Sequence, residues 1–199
     1  MKAIILLLIT VILSGCAFTT ERIDLSYSPQ PGVIPIVGAN DITIALNLYD
    51  DRQDKGNKVS SKKNGFGVDT APILANEDIL VTFRRAIETE LQARGFKIGS
   101  QSPVSVDANL IMFWNDFKLG FFAGDSIAQL NMSIIAKDKN GKVYYSRIIT
   151  AQDTEANIQL MSGENAKLAL DRVLANGMNQ LFNDPVFFEK LVQISRQGT

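Results

Sequence analysis

Hydrophobic and polar positions change period several times along the chain, and the changes outline its elements. Ala3 to Leu13 is apolar except for Thr10, shorter than the run of about 20 residues a spanning helix needs. Ile42, Ile44, Leu46 and Leu48 alternate with other residues, the period of a half-buried strand that ends at Asp50-Asp51-Arg52. Ile79, Phe83, Ile87 and Leu91 then recur every four residues, widened by Leu80 and Ala86 into the stripe of an amphipathic helix. Asn76 is its expected N-cap, with Glu77 and Asp78 complementing the dipole, and Arg94-Gly95 closes it, Gly95 supplying the left-handed position. Alternation returns from Val104 through Val106, Ala108, Leu110 and Met112 to Trp114, and again from Ala128 to Ala136. Asn140-Gly141 marks a tight hairpin turn into a fourth strand, Val143 to Gln152. Ser162 starts a second helix with the stripe Ala166, Leu170, Val173, Leu174, Gly177 and Leu181. Asn183-Asp184-Pro185 interrupts it before a short final helix that buries Val186, Phe187, Leu191 and Ile194.

This order predicts an α+β fold over residues 41–199, a single periplasmic domain. Its expected core is a mostly antiparallel four-stranded sheet with two amphipathic helices on one face and a short C-terminal helix. Residues 16–40, with Pro29, Pro31, Pro35, Gly32 and Gly38, read as an extended tether. Residues 53–75 are long for a loop and are either mobile or a small hairpin around Val59 and Phe66.

Lys2, the short apolar run and the small residues after it have the layout of a secretory signal peptide, residues 1–15. The run ends Leu13-Ser14-Gly15-Cys16, which resembles a bacterial lipobox. The resemblance implies a diacylglycerol thioether on Cys16, cleavage before it and acylation of the new amino terminus. Stable anchoring takes about two acyl chains, so such a chain would be held to a membrane with no spanning helix. By the convention of Gram-negative lipoproteins, Ala17 rather than Asp after the Cys implies the periplasmic face of the outer membrane.

Composition narrows the chemistry. There is no His, and the single Cys is Cys16, which excludes His-based triads, His metal sites, thiolate zinc cages and internal disulfides. Twenty Lys and Arg against 21 Asp and Glu leave a net charge of −1, without the basic excess that nucleic-acid binding requires.

The lipobox, the strand ending in Asp51-Arg52, the helix closing Ala93-Arg94-Gly95-Phe96, the Val104–Trp114 strand and the Asn140-Gly141 hairpin occur in one order. Together they resemble the YajG family of Gram-negative envelope lipoproteins. That resemblance implies a lipoprotein with a small α+β domain and brings no catalytic, cofactor or metal residues; Cys16 is its one site.

Candidate chemistry is sparse. Asp50, Asp51 and Asp54 around Arg52 would either hold a hard cation or form a solvated turn with an internal ion pair. Asp138-Lys139-Asn140-Gly141 lacks the closing acid of a calcium loop and reads as the hairpin. Lys55, Lys58, Lys62 and Lys63 either meet an anionic envelope surface or decorate a solvated loop. Trp114 is expected in the core. Phe117-Lys118-Leu119-Gly120-Phe121-Phe122 places large apolar side chains where a turn should be polar. Leu119, Phe121 and Phe122 are therefore candidate contacts for a partner or bilayer, unless the rings fold back as core on longer strands.

The functional expectation is a non-catalytic binding or assembly module of the cell envelope, attached to the membrane through Cys16 and serving an envelope protein or polymer. A hydrolase using an Asp/Glu pair would need two carboxylates about 5–10 Å apart in one cleft. A lipid carrier would need an apolar cavity of at least about 300 Å³.

Overall fold

The computed structural model describes residues 18–120 and 123–197. Cys16, Phe121 and Phe122 lie outside them.

The chain builds β1 (Glu21–Ile23), a 3-10 turn (Ala39–Asp41), β2 (Thr43–Asp50), β3 (Lys58–Lys63), β4 (Asp69–Ala75), α1 (Ile79–Ala93) and β5 (Lys97–Ile98). The long strands β6 (Val104–Lys118), β7 (Gly124–Asp138) and β8 (Val143–Ile158) follow, then α2 (Gly163–Phe182) and α3 (Pro185–Gln197). All the strands belong to one 8-stranded sheet. The expected sheet of four mostly antiparallel strands is thus corrected to a mixed sheet of eight, with three helices.

Two features of the chain make it mixed. β2 and β6 are joined through α1, and such a crossover brings strands together in parallel, here from Ile44 opposite Val104 to Asp50 opposite Leu110. Beyond Asp50 the same edge of β6 is taken by β3, with Ser60 opposite Asn115. β3 turns back into β4, and β4 pairs in parallel with β1, Glu21 opposite Ile73. The other edge of β6 pairs with β7 along its whole length, and β7 with β8. The 53–75 stretch is therefore the hairpin alternative, and part of the expected tether pairs with the sheet.

At the changeover from β2 to β3 the register of β6 against β7 slips between Leu110 and Met112. One extra residue reverses the inward alternation. Val104, Val106, Ala108 and Leu110 point into the core before the slip, and Phe113, Asn115 and Phe117 after it. Met112 is thereby exposed, and Trp114 is only half-buried, with the Lys58 ammonium 5.2 Å from its ring; the core assignment of Trp114 is corrected.

The apolar faces of all three helices join one continuous core with the inward side chains of the sheet. Phe83 of α1 meets Phe113 edge-on at 5.0 Å. Gly177 lets α2 approach β7 closely, since a Cβ there would sit 2.2 Å from Leu130 Cδ2. Asp78, not Asn76, caps α1, accepting from the Leu80 N–H at 2.8 Å, while the Asn76 amide donates to Asp24. Ser162 caps α2 and Asp184 precedes Pro185, as the sequence predicts. Gly141 takes φ +83° in the β7–β8 turn.

Candidate functional site: a groove beside a buried ion pair

The groove begins with how the N-terminal stretch lies down. After β1, the Ser26 N–H and Oγ donate to the Asp171 carboxylate of α2 at 2.9 and 2.7 Å. The Tyr27 hydroxyl and the Gln30 N–H both donate to Glu90 Oε1, at 2.5 and 2.9 Å. Ile36 N–H then donates to the Arg94 carbonyl at 2.9 Å. Glu90 and Arg94, one helical turn apart on α1, are the anchors.

Glu90 is fully buried, and its Oε2 takes a hydrogen bond from Arg94 Nη1 at 2.5 Å. Arg94 also donates to the Glu90 carbonyl at 3.0 Å, to the Phe182 carbonyl at 3.2 Å and to the Gln30 side chain. Its guanidinium lies 5.1 Å from the centroid of the Phe182 ring and 5.4 Å from that of Phe188. A planar, five-donor cation suits this place, where a lysine would leave acceptors unmet. Burial, then the bond to Glu90, pushes the Tyr27 phenol well above the ordinary tyrosine range. Gly95 follows at φ +96°, and a Cβ there would strike Asn40 Oδ1 at 2.6 Å; Phe96 beyond it stacks on Phe188. The Ala-Arg-Gly-aromatic ending is thus the joint between α1, the N-terminal stretch and α3.

Above this joint is an open groove of about 880 Å³. Pro31, Val33, Ile34 and Ile36 form one wall, Phe188 and Val192 of α3 the other. Gln30, Asn183, Gln193 and Gln197 supply amides around it, with Glu189 and Arg196. Ile34 is 80% exposed, an apolar side chain held at the lip. With Glu90 and Arg94 bound to each other, the groove offers apolar contact, amide hydrogen bonding and the charges of Glu189 and Arg196 at its edge.

The residues singled out in the sequence lie elsewhere. Phe117 is core, because β6 runs on to Lys118, while Leu119 beyond it is about half exposed. Asp50 grips Arg52 with two bonds of 2.8 Å, and this pairing holds the Asp50 carboxyl below the usual carboxylate range. Lys62 is buried against Glu21 and Lys63 pairs with Asp116, each at 2.5 Å, so neither decorates a solvated loop. Asp51 and Asp107 border one shallow depression of about 200 Å³ on the open sheet face. Asp107 is bound there by Lys137, Asn47 and Ser105, whose combined pull outweighs burial and lowers its pKa. A general acid needs the opposite shift. Among the described residues no group of three or more Asp, Glu, Cys or His is placed to hold a metal ion, and no helix is long and apolar enough to cross a membrane. The groove itself escaped the sequence, because its walls lie more than 150 positions apart along the chain; only Arg94-Gly95 gave a signal, and that signal read as a helix end.

The chain is similar to known proteins. A family model described as uncharacterized lipoprotein matches residues 34–191, most of the chain. The uncharacterized lipoprotein YajG of Escherichia coli K12 is 22% identical over 187 residues, spanning 92% of this chain and 93% of its own. The chain belongs to the YajG lipoprotein family. Among solved structures, protein XCC0632 from Xanthomonas campestris superposes with a TM-score of 0.57 at 12% identity, covering 91% of this chain and 99% of that one. That likeness speaks for the fold alone. The family membership makes this an envelope lipoprotein.

Proposed function

We propose that this YajG-family lipoprotein is a non-catalytic binding module, held by acyl chains on Cys16 to the periplasmic face of the outer membrane, whose groove takes an extended polypeptide segment of an envelope protein. The observation that carries the reading is the groove between residues 30–36 and α3. It is an open trough, apolar along its walls and edged by amide side chains that both donate and accept, with one acidic and one basic side chain, Glu189 and Arg196, among them. An extended backbone with alternate apolar side chains complements that pattern. A lipid tail would leave the amides unmatched, and the helix–sheet interior where a carrier would hold one is filled by packed core. Catalysis is disfavoured by the engaged state of Glu90, Arg94 and Asp107.

A photo-reactive amino acid at Val192, in living cells, tests this directly. A discrete protein adduct is expected there, absent from the same probe at Ile148 on β8, and lost when Ile34→Arg closes the lip. Adducts only to lipid or glycan, or equal capture at both positions, would overturn it.

A further inference from the structure

The end of the molecule opposite the groove carries a second surface. β3 runs parallel to β6 with Ser60 opposite Asn115, so the β3–β4 turn and the β6–β7 turn reach the same edge. Gly124 lies opposite Ile158, which puts the segment leading to α2 there as well. The chain enters from this side too: Glu21 Oε1 meets Lys62, and its other oxygen accepts from the Gly163 N–H.

Each of these segments presents an apolar side chain to solvent. Phe66 is 93% exposed, Leu160 72%, Phe18 65%, and Val68 and Leu119 stand out beside them. Phe66 is displayed by an ordered turn, since Asn64 Oδ1 accepts from the N–H of both Phe66 and Val68, at 2.9 and 3.1 Å, and Gly67 takes φ +79°. Exposed Arg22 and Lys118 flank the set. Four residues separate Cys16 from Glu21, five steps along the chain that reach at most about 18 Å. Apolar knobs on separate turns, set among polar groups and charges of both signs (Arg22 and Lys118, Asp69 and Glu164), do not make the continuous patch a protein partner buries; they match a zwitterionic headgroup layer that each knob penetrates on its own.

We infer that this end, through Phe18, Phe66, Val68, Leu119 and Leu160, rests in the surface of the bilayer leaflet that holds the Cys16 acyl chains. The inference rests on the anchor in the proposed function and adds an orientation: the groove is turned away from the membrane by about the length of β6, some 45 Å for 15 residues.

The test uses the full lipidated chain with Trp114→Phe, so that one introduced tryptophan reports alone. Phe66→Trp, Leu119→Trp and the control Ile148→Trp are reconstituted in phosphatidylethanolamine–phosphatidylglycerol vesicles with brominated acyl chains. Each variant is first checked for an unchanged thermal melt, which exposed positions should give. Quenching at 66 and 119 several-fold stronger than at 148, with a blue shift, is the expected result. A chain that floats with the vesicles but is quenched equally at all three positions overturns the inference and leaves the anchor standing. A blue shift that grows with protein concentration and without quenching signals a second copy on this surface, and also overturns it. A chain that fails to float overturns the anchor and the inference together.

Discussion

Arg94 joins three parts of the chain at one guanidinium: Glu90 on α1, Gln30 in the N-terminal stretch and the Phe182 carbonyl at the end of α2. Removing it would leave the Glu90 carboxylate buried without its cation, a loss of about 3–5 kcal/mol. Arg94→Met should therefore cost that much in urea denaturation, and adding Glu90→Gln should recover part of it, since the unpaired charge goes too. Both variants should also free residues 29–36 for proteolysis. A second residue-scale prediction concerns acid. Asp50 binds its proton less readily folded than unfolded, because Arg52 holds the carboxylate. Its contribution is thus complete above an ordinary aspartate pKa of about 4 and disappears as pH falls through the depressed folded value. The stability gap between wild type and Asp50→Asn, followed by urea denaturation, should be level near neutrality and shrink at acid pH.

Elements with a strong period were legible in the sequence, and those without one were not. α1, α2, α3 and the β7–β8 hairpin follow from stripes and an Asn-Gly turn, although Asp78 takes the α1 cap expected of Asn76 and α3 buries Phe188 where Val186 was expected, leaving Val186 exposed. β3 reads Lys-Val-Ser-Ser-Lys-Lys, yet Val59 through Lys62 are all buried. Ser60 meets Asn115 and Lys62 meets Glu21, so its interior is polar; Val59 supported a small hairpin as one alternative, but nothing in the sequence placed that hairpin in the main sheet. Its partners fixed the parallel pairing that the four-stranded scheme lacked. The slip in β6 was equally silent, because Met112-Phe113-Trp114 is apolar in either phase. Two predictions follow at this scale. Deleting Ile111 would remove the extra residue and leave unbroken alternation, with Met112 still outward and Phe113 and Phe117 still inward, so the chain should keep its fold as judged by circular dichroism; loss of the folded spectrum would show that the slip itself is required. In an open helix Gly→Ala stabilises by about 0.5–1 kcal/mol. Gly177→Ala should instead lower the melting temperature, as the new methyl meets Leu130.

Taken whole, the molecule has two ends joined by the long strands β6, β7 and β8. One receives the chain from Cys16 and displays apolar turns; the other holds the groove. The groove was invisible in the sequence because it forms only when residues 30–36, read there as tether, lie against α3. The proposed anchor rests on a resemblance carried by four consecutive residues, Leu13 to Cys16, and everything proposed about orientation depends on it. Its most direct measurement is the intact mass of the N-terminal peptide of the mature chain, extracted from membranes. The account predicts a peptide beginning at Cys16, carrying diacylglycerol on sulfur and an acyl group on nitrogen, and absent from Cys16→Ser. A mature chain that keeps residues 1–15, or begins elsewhere, or carries an unmodified Cys16, would contradict it.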